Sequence, residues 1–192
     1  MRALFLAILL AVTFVPANAE QDTDAVIEEI INSFIYSPEQ IVLKDQAVLD
    51  IPENMIFIPQ PQADKYSYIS GNSKDPTLMG IVLSEEDGVY WAAYISYNAS
   101  GYISDKDALD WNAKDLLTSY KKGNNEANKE RKARGIAELE VVDWLQEPKY
   151  SQSENTLSWG LRLREVSAGQ EEGMLVNYNT LALGREGYIE LD

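Results

Sequence analysis

The sequence contains no histidine and no cysteine among its 192 residues. Without histidine, the chain cannot form a Ser-His-Asp triad, a Cys-His pair or a His-ligated zinc or haem site. Without cysteine, no disulfide stabilises the fold, so the hydrophobic core must do so alone. Any catalysis is left to carboxylate, Lys, Tyr, Ser or Thr side chains. The sequence therefore disfavours an enzyme, and no cofactor is expected.

Positive charge is scarce, because 16 Lys and Arg stand against 31 Asp and Glu, a formal net charge of -15. This balance disfavours nonspecific binding to nucleic acid and to anionic membrane surfaces. The acidic residues are dispersed among tyrosines, tryptophans and β-branched residues, which is not the pattern of an acidic disordered chain. The composition therefore predicts a folded acidic domain that does not bind nucleic acid.

No apolar run is long enough to span a membrane, and the longest run lies at the start of the sequence. Arg2 supplies a positive start, residues 3–15 are apolar, and Ala17 and Ala19 occupy the positions that a signal peptidase reads. The run falls short of the roughly 20 apolar residues of a membrane-spanning helix, and no cysteine follows it for lipid attachment. We predict a signal peptide over 1–19, cleavage before Glu20, and export to a bacterial periplasm.

Hydrophobic periodicity predicts the α+β class. Tyr66 and Tyr68 make one segment ambiguous between helix and strand, and a short helix is favoured there. We expect a single domain over 20–192, mainly an antiparallel β-sheet with packed helices. Helices are predicted over 25–34, 62–69 and 111–134, and strands over 40–43, 47–51, 55–58, 78–84, 89–98, 139–145, 156–166, 174–183 and 188–191.

Four ordered segments resemble a bacterial family of envelope proteins, domain of unknown function 2167. They are residues 101–108, residues 126–131, residues 142–150 with Glu147-Pro148-Lys149-Tyr150, and residues 177–185. The resemblance covers nearly the whole mature chain and implies an exported domain, tethered to the inner membrane in relatives, with no assigned activity or catalytic residues. Relatives carry hydrophobic segments after this domain, and the present sequence reaches Asp192 without one.

An acidic loop is the one candidate metal site. Asp105, Asp107 and Asp110 could place carboxylates around a hard cation such as calcium. Leu109 interrupts the calcium-loop pattern. The simpler interpretation is a solvated loop in which Asp110 caps the following helix.

Basic residues cluster near the end of the long predicted helix, and they form a candidate interaction face for an acidic partner or a phosphate-bearing lipid. Its main members are Lys129, Arg131, Lys132 and Arg134, after Lys121 and Lys122. The simpler interpretation is an exposed helix surface whose cations complement the helix dipole.

A candidate ligand groove lies near the last hairpin, where Asn177, Asn179 and Arg185 could line a polar surface. The alternative places both asparagines on the outer face of the sheet and Arg185 in a turn. Four aromatic residues could stack on glycans, although cross-strand packing explains them more simply. They are Tyr90, Trp91, Tyr94 and Tyr97.

The leading hypothesis is a non-enzymatic periplasmic sensing or interaction domain with an envelope protein as its partner. The rival is a carboxylate-dependent hydrolase acting on envelope glycan or peptide, with Asp105, Asp107 and Glu147 as candidates. A third alternative is a small-ligand or metal-binding domain. The hydrolase requires two convergent carboxylates, at least one with a perturbed pKa. The interaction domain requires an exposed apolar or charged patch.

Overall fold

The computed structural model describes residues 17–86, 88–103, 112–166 and 173–192, with the side chains of residues 17–22 excepted. In these ranges the helices are α1 (Ala17–Asn32), α2 (Gln62–Ile69) and α3 (Ala113–Ala133). The strands are β1 (Ile35–Tyr36), β2 (Glu39–Leu43), β3 (Ala47–Ile51), β4 (Met55–Pro59), β5 (Leu78–Ser84), β6 (Ala92–Asn98), β7 (Leu139–Ser151), β8 (Thr156–Glu165), β9 (Met174–Leu183) and β10 (Tyr188–Leu191). The predicted α+β class with a large antiparallel sheet is confirmed.

Two compact units divide the described residues. The first holds those up to Asp75 together with Gly80–Trp91, and the second holds Pro76–Met79 together with Ala92–Asp192. The prediction of one domain over 20–192 stays a prediction.

The first unit is built on β4, which pairs antiparallel with β1 on one side and with the residues of β5 from Gly80 onward on the other. Ile56, Phe57 and Ile58 are buried, which explains why this strand reads as a continuous apolar run. Beside it, β2 and β3 form a two-stranded hairpin. Because Leu43 pairs with Ala47, the hairpin loop has three residues, 44–46, of which Lys44 and Asp45 have positive φ.

The second unit is an antiparallel sheet in the order β6-β10-β9-β8-β7, with α3 packed on it. Tyr120 of α3 reaches the sheet, where its ring meets those of Trp144 and Trp159 at centroid distances of 6.2 Å. The core beneath the helix consists of Val141, Leu157, Trp159, Leu161 and Leu181. This face of the sheet is called the helix face below.

The helix α3 begins differently from the prediction. Asn112 is its N-cap, and the side-chain oxygen of Asn112 accepts hydrogen bonds from the backbone N–H groups of Lys114 and Asp115 at 3.0 and 3.1 Å. Asparagine is among the best N-cap residues because its oxygen satisfies N–H groups that lack a helical partner. The cap is therefore Asn112, whereas Asp110, to which the prediction assigned this role, lies outside the described residues.

Among the strands, three elements differ from the prediction by more than one residue. The strand β1 was missed because it contains only two residues. The strand β6 begins at Ala92, so that Val89, Tyr90 and Trp91 precede it as exposed residues. The strand β7 continues through Pro148 to Ser151, because register shifts between Trp144 and Lys149 accommodate a proline that cannot donate to a ladder.

Most of the predicted signal peptide lies outside the described residues, so export stays a prediction. The helix α1 begins at Ala17, ahead of the cleavage point predicted before Glu20. Among the described residues, no helix combines the length and apolar character needed to cross a membrane.

Candidate functional site

The side of β7, β8 and β9 opposite α3 carries a set of exposed side chains, called the open face below. Side chains alternate along a strand, so the residues between the buried Leu157, Trp159 and Leu161 point to this face. The cross-strand register then places their partners on β7 and β9 beside them. The open face consists of Glu140, Asp143, Leu145, Gln146, Lys149, Ser158, Gly160, Arg162, Arg164, Met174, Val176, Tyr178 and Thr180.

The ring of a tyrosine packs against a glycine at its centre. Gly160 and Tyr178 are directly opposite each other on β8 and β9. A Cβ added at Gly160 would lie 2.8 Å from Cε2 of Tyr178 and 3.5 Å from Cβ of Leu145. Glycine is therefore what lets the ring approach the sheet. The Tyr178 hydroxyl donates to Oε1 of Gln146, and the Gln146 amide donates to Oγ of Ser158 at 3.3 Å. The ring is thus held in one position while it stays 46% exposed.

Two ion pairs connect β7 and β8 beside the tyrosine. Nε and Nη2 of Arg162 donate to the two carboxylate oxygens of Asp143, each at 2.6 Å. Arg164 pairs with Glu140 through one hydrogen bond, in which Nη2 of Arg164 donates to Oε2 of Glu140. The hydrogen bond from Arg162 is the main reason why the pKa of the Asp143 carboxyl is held below its usual range. Asp143 consequently stays ionised near neutral pH and is unsuited to be a general acid.

Apolar side chains complete the open face. Val176 is 61% exposed and Met174 is 42% exposed, and Leu145 lies beside the Tyr178 ring. Tyrosine, methionine and arginine are the residues enriched in the centres of protein interfaces, whereas Lys and Glu are depleted there. The open face thus combines these residue types with Glu140, Asp143 and Ser158, and both acidic side chains are paired with arginines rather than poised for proton transfer.

The predicted groove residues lie on the other side of the sheet. Asn179 is 3% exposed and pairs with Trp159, so its placement on the outer face is wrong. Its amide donates to Oδ1 of Asn177 at 2.6 Å, and Asn177 donates in turn to the Asp192 carboxylate. Arg185 lies in the turn between β9 and β10, as the alternative interpretation had it.

The carboxyl of Asp192 is electrostatically unusual. Although the residue as a whole is exposed, desolvation of its carboxyl raises the pKa, and the hydrogen bond from Asn177 opposes this rise. Glu190 lies two positions earlier on β10 and shares the helix face with Asp192. Burial, followed by the charge of Glu190, raises the pKa of Tyr120. This is the arrangement in the described chain that comes nearest to the convergent carboxylates of the hydrolase hypothesis.

The acidic residues predicted as candidates from the sequence are different ones. Asp105, Asp107 and Asp110 lie outside the described residues. Glu147 is exposed at an irregular part of β7. Within the described ranges no group of three or more acidic side chains could hold a metal ion.

The predicted basic face is engaged in local contacts. Lys129 pairs with Glu126 at 2.5 Å, and Arg134 pairs with Glu130 at 3.6 Å. Nε of Arg131 donates to the carbonyl of Ala137 at 2.8 Å, and desolvation lowers the pKa of this guanidinium. Lys132 is exposed. The contacts support the interpretation of an ordinary helix surface, and the interaction role stays a prediction.

The aromatic residues considered for glycan stacking do not form one row. Tyr94 and Tyr97 are three positions apart on β6 and therefore point to opposite faces of the sheet. Tyr90 and Trp91 are exposed in the segment before that strand, in the first unit.

Asn128 has a role that the sequence did not reveal. Its side chain is 9% exposed, donates to the carbonyl of Leu139 at 2.7 Å and accepts from the Leu139 N–H at 3.0 Å. This double contact joins α3 to the first residue of β7. Asn128 is the buried residue of α3, in a half of the helix where the other side chains are polar and mostly exposed.

Comparisons with known proteins agree with the resemblance noted in the sequence. Residues 35–192 match the sequence model of a family described as protein of unknown function (DUF2167). No curated protein matches. Among solved structures, the chain is similar to the solution structure of cyanobacterial PsbP (CyanoP) from Synechocystis sp. PCC 6803, with 18% identity, 82% of this chain and 79% of that chain covered, and a TM-score of 0.42.

Proposed function

The chain belongs to this DUF2167 family of unknown function, and we propose from its geometry that it is an exported, non-catalytic interaction domain that binds a protein partner on the open face. The observation that carries the proposal is Tyr178, whose ring is fixed over Gly160 and by Gln146 while remaining exposed. A preordered aromatic side chain loses little entropy on binding, which is why such residues dominate interface energies. The signal pattern over 1–19 supports export.

The chemistry of the surface supports a protein partner. Each arginine of the open face is already paired with a carboxylate, so the surface offers no unpaired cluster of cations for phosphate. It combines apolar and aromatic side chains with neutralised ion pairs, as protein interfaces do. The net charge of -15 favours association with a basic partner over association with an acidic one.

One observation favours the hydrolase as a second candidate, namely the position of Glu190 and Asp192 on one face of β10 with a raised pKa for Asp192. Asn177 and Asn179 fill the space beside Asp192 with a chain of hydrogen bonds. The E190Q/D192N double variant tests this candidate on cell-wall glycan and peptide. Hydrolysis by the original chain that the double variant lacks would replace the proposed function.

A crosslinking experiment tests the proposed function. A photo-reactive amino acid is placed at Val176 in the exported chain and, as a matched control, at Lys132 of α3. We expect the label at 176 to capture one partner, which is then identified and purified, and expect its binding to weaken in Y178A. Capture by the label at 132 together with full binding by Y178A would contradict the proposal.

A further inference from the structure

The helix α3 concentrates positive charge in an acidic protein. Six of the chain's 16 Lys and Arg lie in its 21 residues, together with three Asp and Glu. The helix therefore has a formal charge of +3 in a chain whose net charge is -15. Five of the six cations are exposed lysines, and they are called the lysine row below. The lysine row consists of Lys114, Lys121, Lys122, Lys129 and Lys132.

The two signs of charge occupy different sides of the exposed helix surface. With about 3.6 residues per turn, the lysine row falls within an arc of about 100° around the helix axis and extends for about 27 Å along it. The acidic side chains of the helix fall within the next arc of about 60°. They are Asp115, Glu126 and Glu130.

The lysine row lies on the side of α3 that faces β7. Asn128, at the border of the row, bonds to the backbone of Leu139 at the start of this strand. Farther along β7, the pKa of Asp143 is lowered mainly by the hydrogen bond from Arg162 and also by the charge of Lys121. The row is therefore a continuous positive strip between the acidic arc of the helix and the sheet.

The stability of the helix does not account for this arrangement. Cations complement the helix dipole near the C-terminal end, whereas Lys114 lies in the first turn, where a cation is unfavourable. Lys129 and Lys132 are three positions apart, and such a like-charge pair slightly destabilises a helix. Among the described residues, Lys129 is the one member of the row in an ion pair, an exposed contact with Glu126. Exposed pairs of this kind contribute little, so the row is open to an anionic ligand.

We propose that the lysine row binds a linear anionic glycan, a chain of sugars that carries acidic groups along its length. The lysine ammonium groups meet these acidic groups as point charges on flexible stems. Thr118 and Asn125 are exposed between the lysines and supply hydrogen-bonding groups for sugar hydroxyls. The inference is independent of the proposed function, because α3 and the open face lie on opposite sides of the sheet.

The surroundings of the row disfavour other anionic partners. A flat anionic membrane would meet the acidic arc as well, and a membrane-surface helix inserts an apolar face, whereas that of α3 packs on the sheet through Leu117 and Tyr120. Single-stranded nucleic acid binds on aromatic platforms, and the row contains no aromatic residue. Lysine is depleted in protein interfaces. A narrow anionic chain rich in hydroxyl groups fits the row best.

The net charge of -15 sets a condition on this binding. It opposes any anionic chain at a distance, but at physiological salt exposed charges are largely screened beyond about 8 Å. A chain that lies along the row therefore interacts mainly with the lysines that it contacts. Binding requires several contacts at once, so a short fragment should bind much more weakly than a chain that spans the row.

Two variants of equal net charge separate the row from the overall charge of the chain. The row variant is K114Q/K122Q/K132Q, and the matched variant is K44Q/K74Q/K149Q. Both replace three exposed lysines, which lie in α3 in the first variant and outside it in the second. Each variant loses three positive charges, so the overall repulsion of an anionic chain rises equally in both. Urea unfolding of each variant reports the fold.

The probe is a linear galacturonate hexamer, with its methyl-esterified, uncharged form and the galacturonate dimer as controls. The readout is an NMR titration of the full chain at low salt. We expect the hexamer to shift the amide signals of α3, and both controls to bind much more weakly. The row variant should bind the hexamer at least about tenfold more weakly, and the matched variant within about twofold of the original chain.

Several outcomes overturn the inference. The hexamer could leave the signals of α3 unchanged, or bind no better than its esterified form. Equal losses in the row variant and the matched variant would show that only the net charge matters. Vesicles of anionic lipid, or a single-stranded oligonucleotide of the same length, that bind the row more tightly than the hexamer would overturn the assignment to a glycan.

Discussion

The ring of Tyr178 occupies the space that a side chain at Gly160 would need. A Cβ at Gly160 would approach Cε2 of the ring to 2.8 Å and Cδ2 to 3.1 Å. The two residues are direct cross-strand partners, and an aromatic ring over a glycine is a recurring way to cover exposed sheet backbone. The position of the most prominent residue of the open face thus depends on the absence of a side chain on the neighbouring strand.

The G160A variant should displace the ring without unfolding the chain. Tyr178 is partly exposed, so its ring can turn outward and lose the hydrogen bond to Gln146, and we expect a change in unfolding free energy below about 1 kcal/mol. Urea unfolding and the NMR signals of the Tyr178 ring measure the two effects. The control is G123A in α3, where nothing lies within 4 Å of the added Cβ. Unchanged ring signals in G160A would contradict the account.

The G80A variant should be much more harmful. The added Cβ would lie 2.2 Å from Cζ of Phe57 and 3.0 Å from the carbonyl oxygen of Ile58. Phe57 is 2% exposed, so its ring cannot rotate outward into solvent. We expect a loss of about 1–3 kcal/mol of unfolding free energy, as for other overpacked cores. If urea unfolding gave the same stability for G80A and G160A, the burial of the displaced ring would not determine the loss of unfolding free energy.

The N128A variant should weaken the contact of α3 with the start of β7, where Asn124 also donates to the carbonyl of Leu139, at 2.6 Å. Removal of this buried amide leaves the N–H of Leu139 without the oxygen that it donates to in the structure. We expect a loss of about 1–3 kcal/mol of unfolding free energy, the usual cost of a buried polar group that loses its partner. The exposed neighbour Asn125 offers the control N125A, which should change stability by less than about 0.5 kcal/mol. Urea unfolding compares the two, and similar losses would disprove the role of Asn128.

The carboxyl of Asp192 should titrate above the usual value of about 3.9. Desolvation raises its pKa, and the hydrogen bond from Asn177 limits the rise. A raised carboxyl pKa means that the folded state binds the proton more tightly than the unfolded state. The stability contributed by this group is therefore present below the unfolded pKa and is lost as pH rises through the folded pKa.

Two measurements check this expectation. The NMR titration of the Asp192 side-chain carboxyl carbon should give a raised pKa, and N177A should raise it further. In D192N the loss of stability with rising pH should disappear, so that the variant gains on the original chain as the pH rises above the unfolded pKa of about 3.9. A carboxyl that titrates at or below the usual value would show that desolvation does not dominate there.

The sequence predicted the class of the fold and most of its strands because their apolar alternation is local. It did not predict β1, whose two residues are too few for a periodicity, or the extension of β7 through Pro148, which depends on irregular pairing with β8. The cap of α3 was placed on Asp110 rather than on Asn112, since both types are good caps and only the geometry distinguishes them.

The candidate site was harder to predict because its members come from three strands. Leu145, Gly160 and Tyr178 lie on three different strands, and the sequence does not show that the register of these strands brings them together. Asn179 was placed on the wrong face of the sheet for the same reason, because the sequence does not show how β9 is packed. A polar residue in an alternating strand is usually placed outside, and Asn179 is buried opposite Trp159.

In the proposed function, the open face and not the basic face of α3 binds the partner. The most direct test is the dissociation constant of the captured, purified partner for two variants of equal fold. V176K charges the centre of the open face, and K129E/K132E reverses two exposed lysines of α3 while leaving the structural contacts of Arg131 intact. We predict at least about tenfold weaker binding for V176K, a loss typical of a residue at an interface centre, and less than about twofold change for K129E/K132E. Unchanged binding by V176K together with strong loss in K129E/K132E would contradict the claim and assign the partner to the helix.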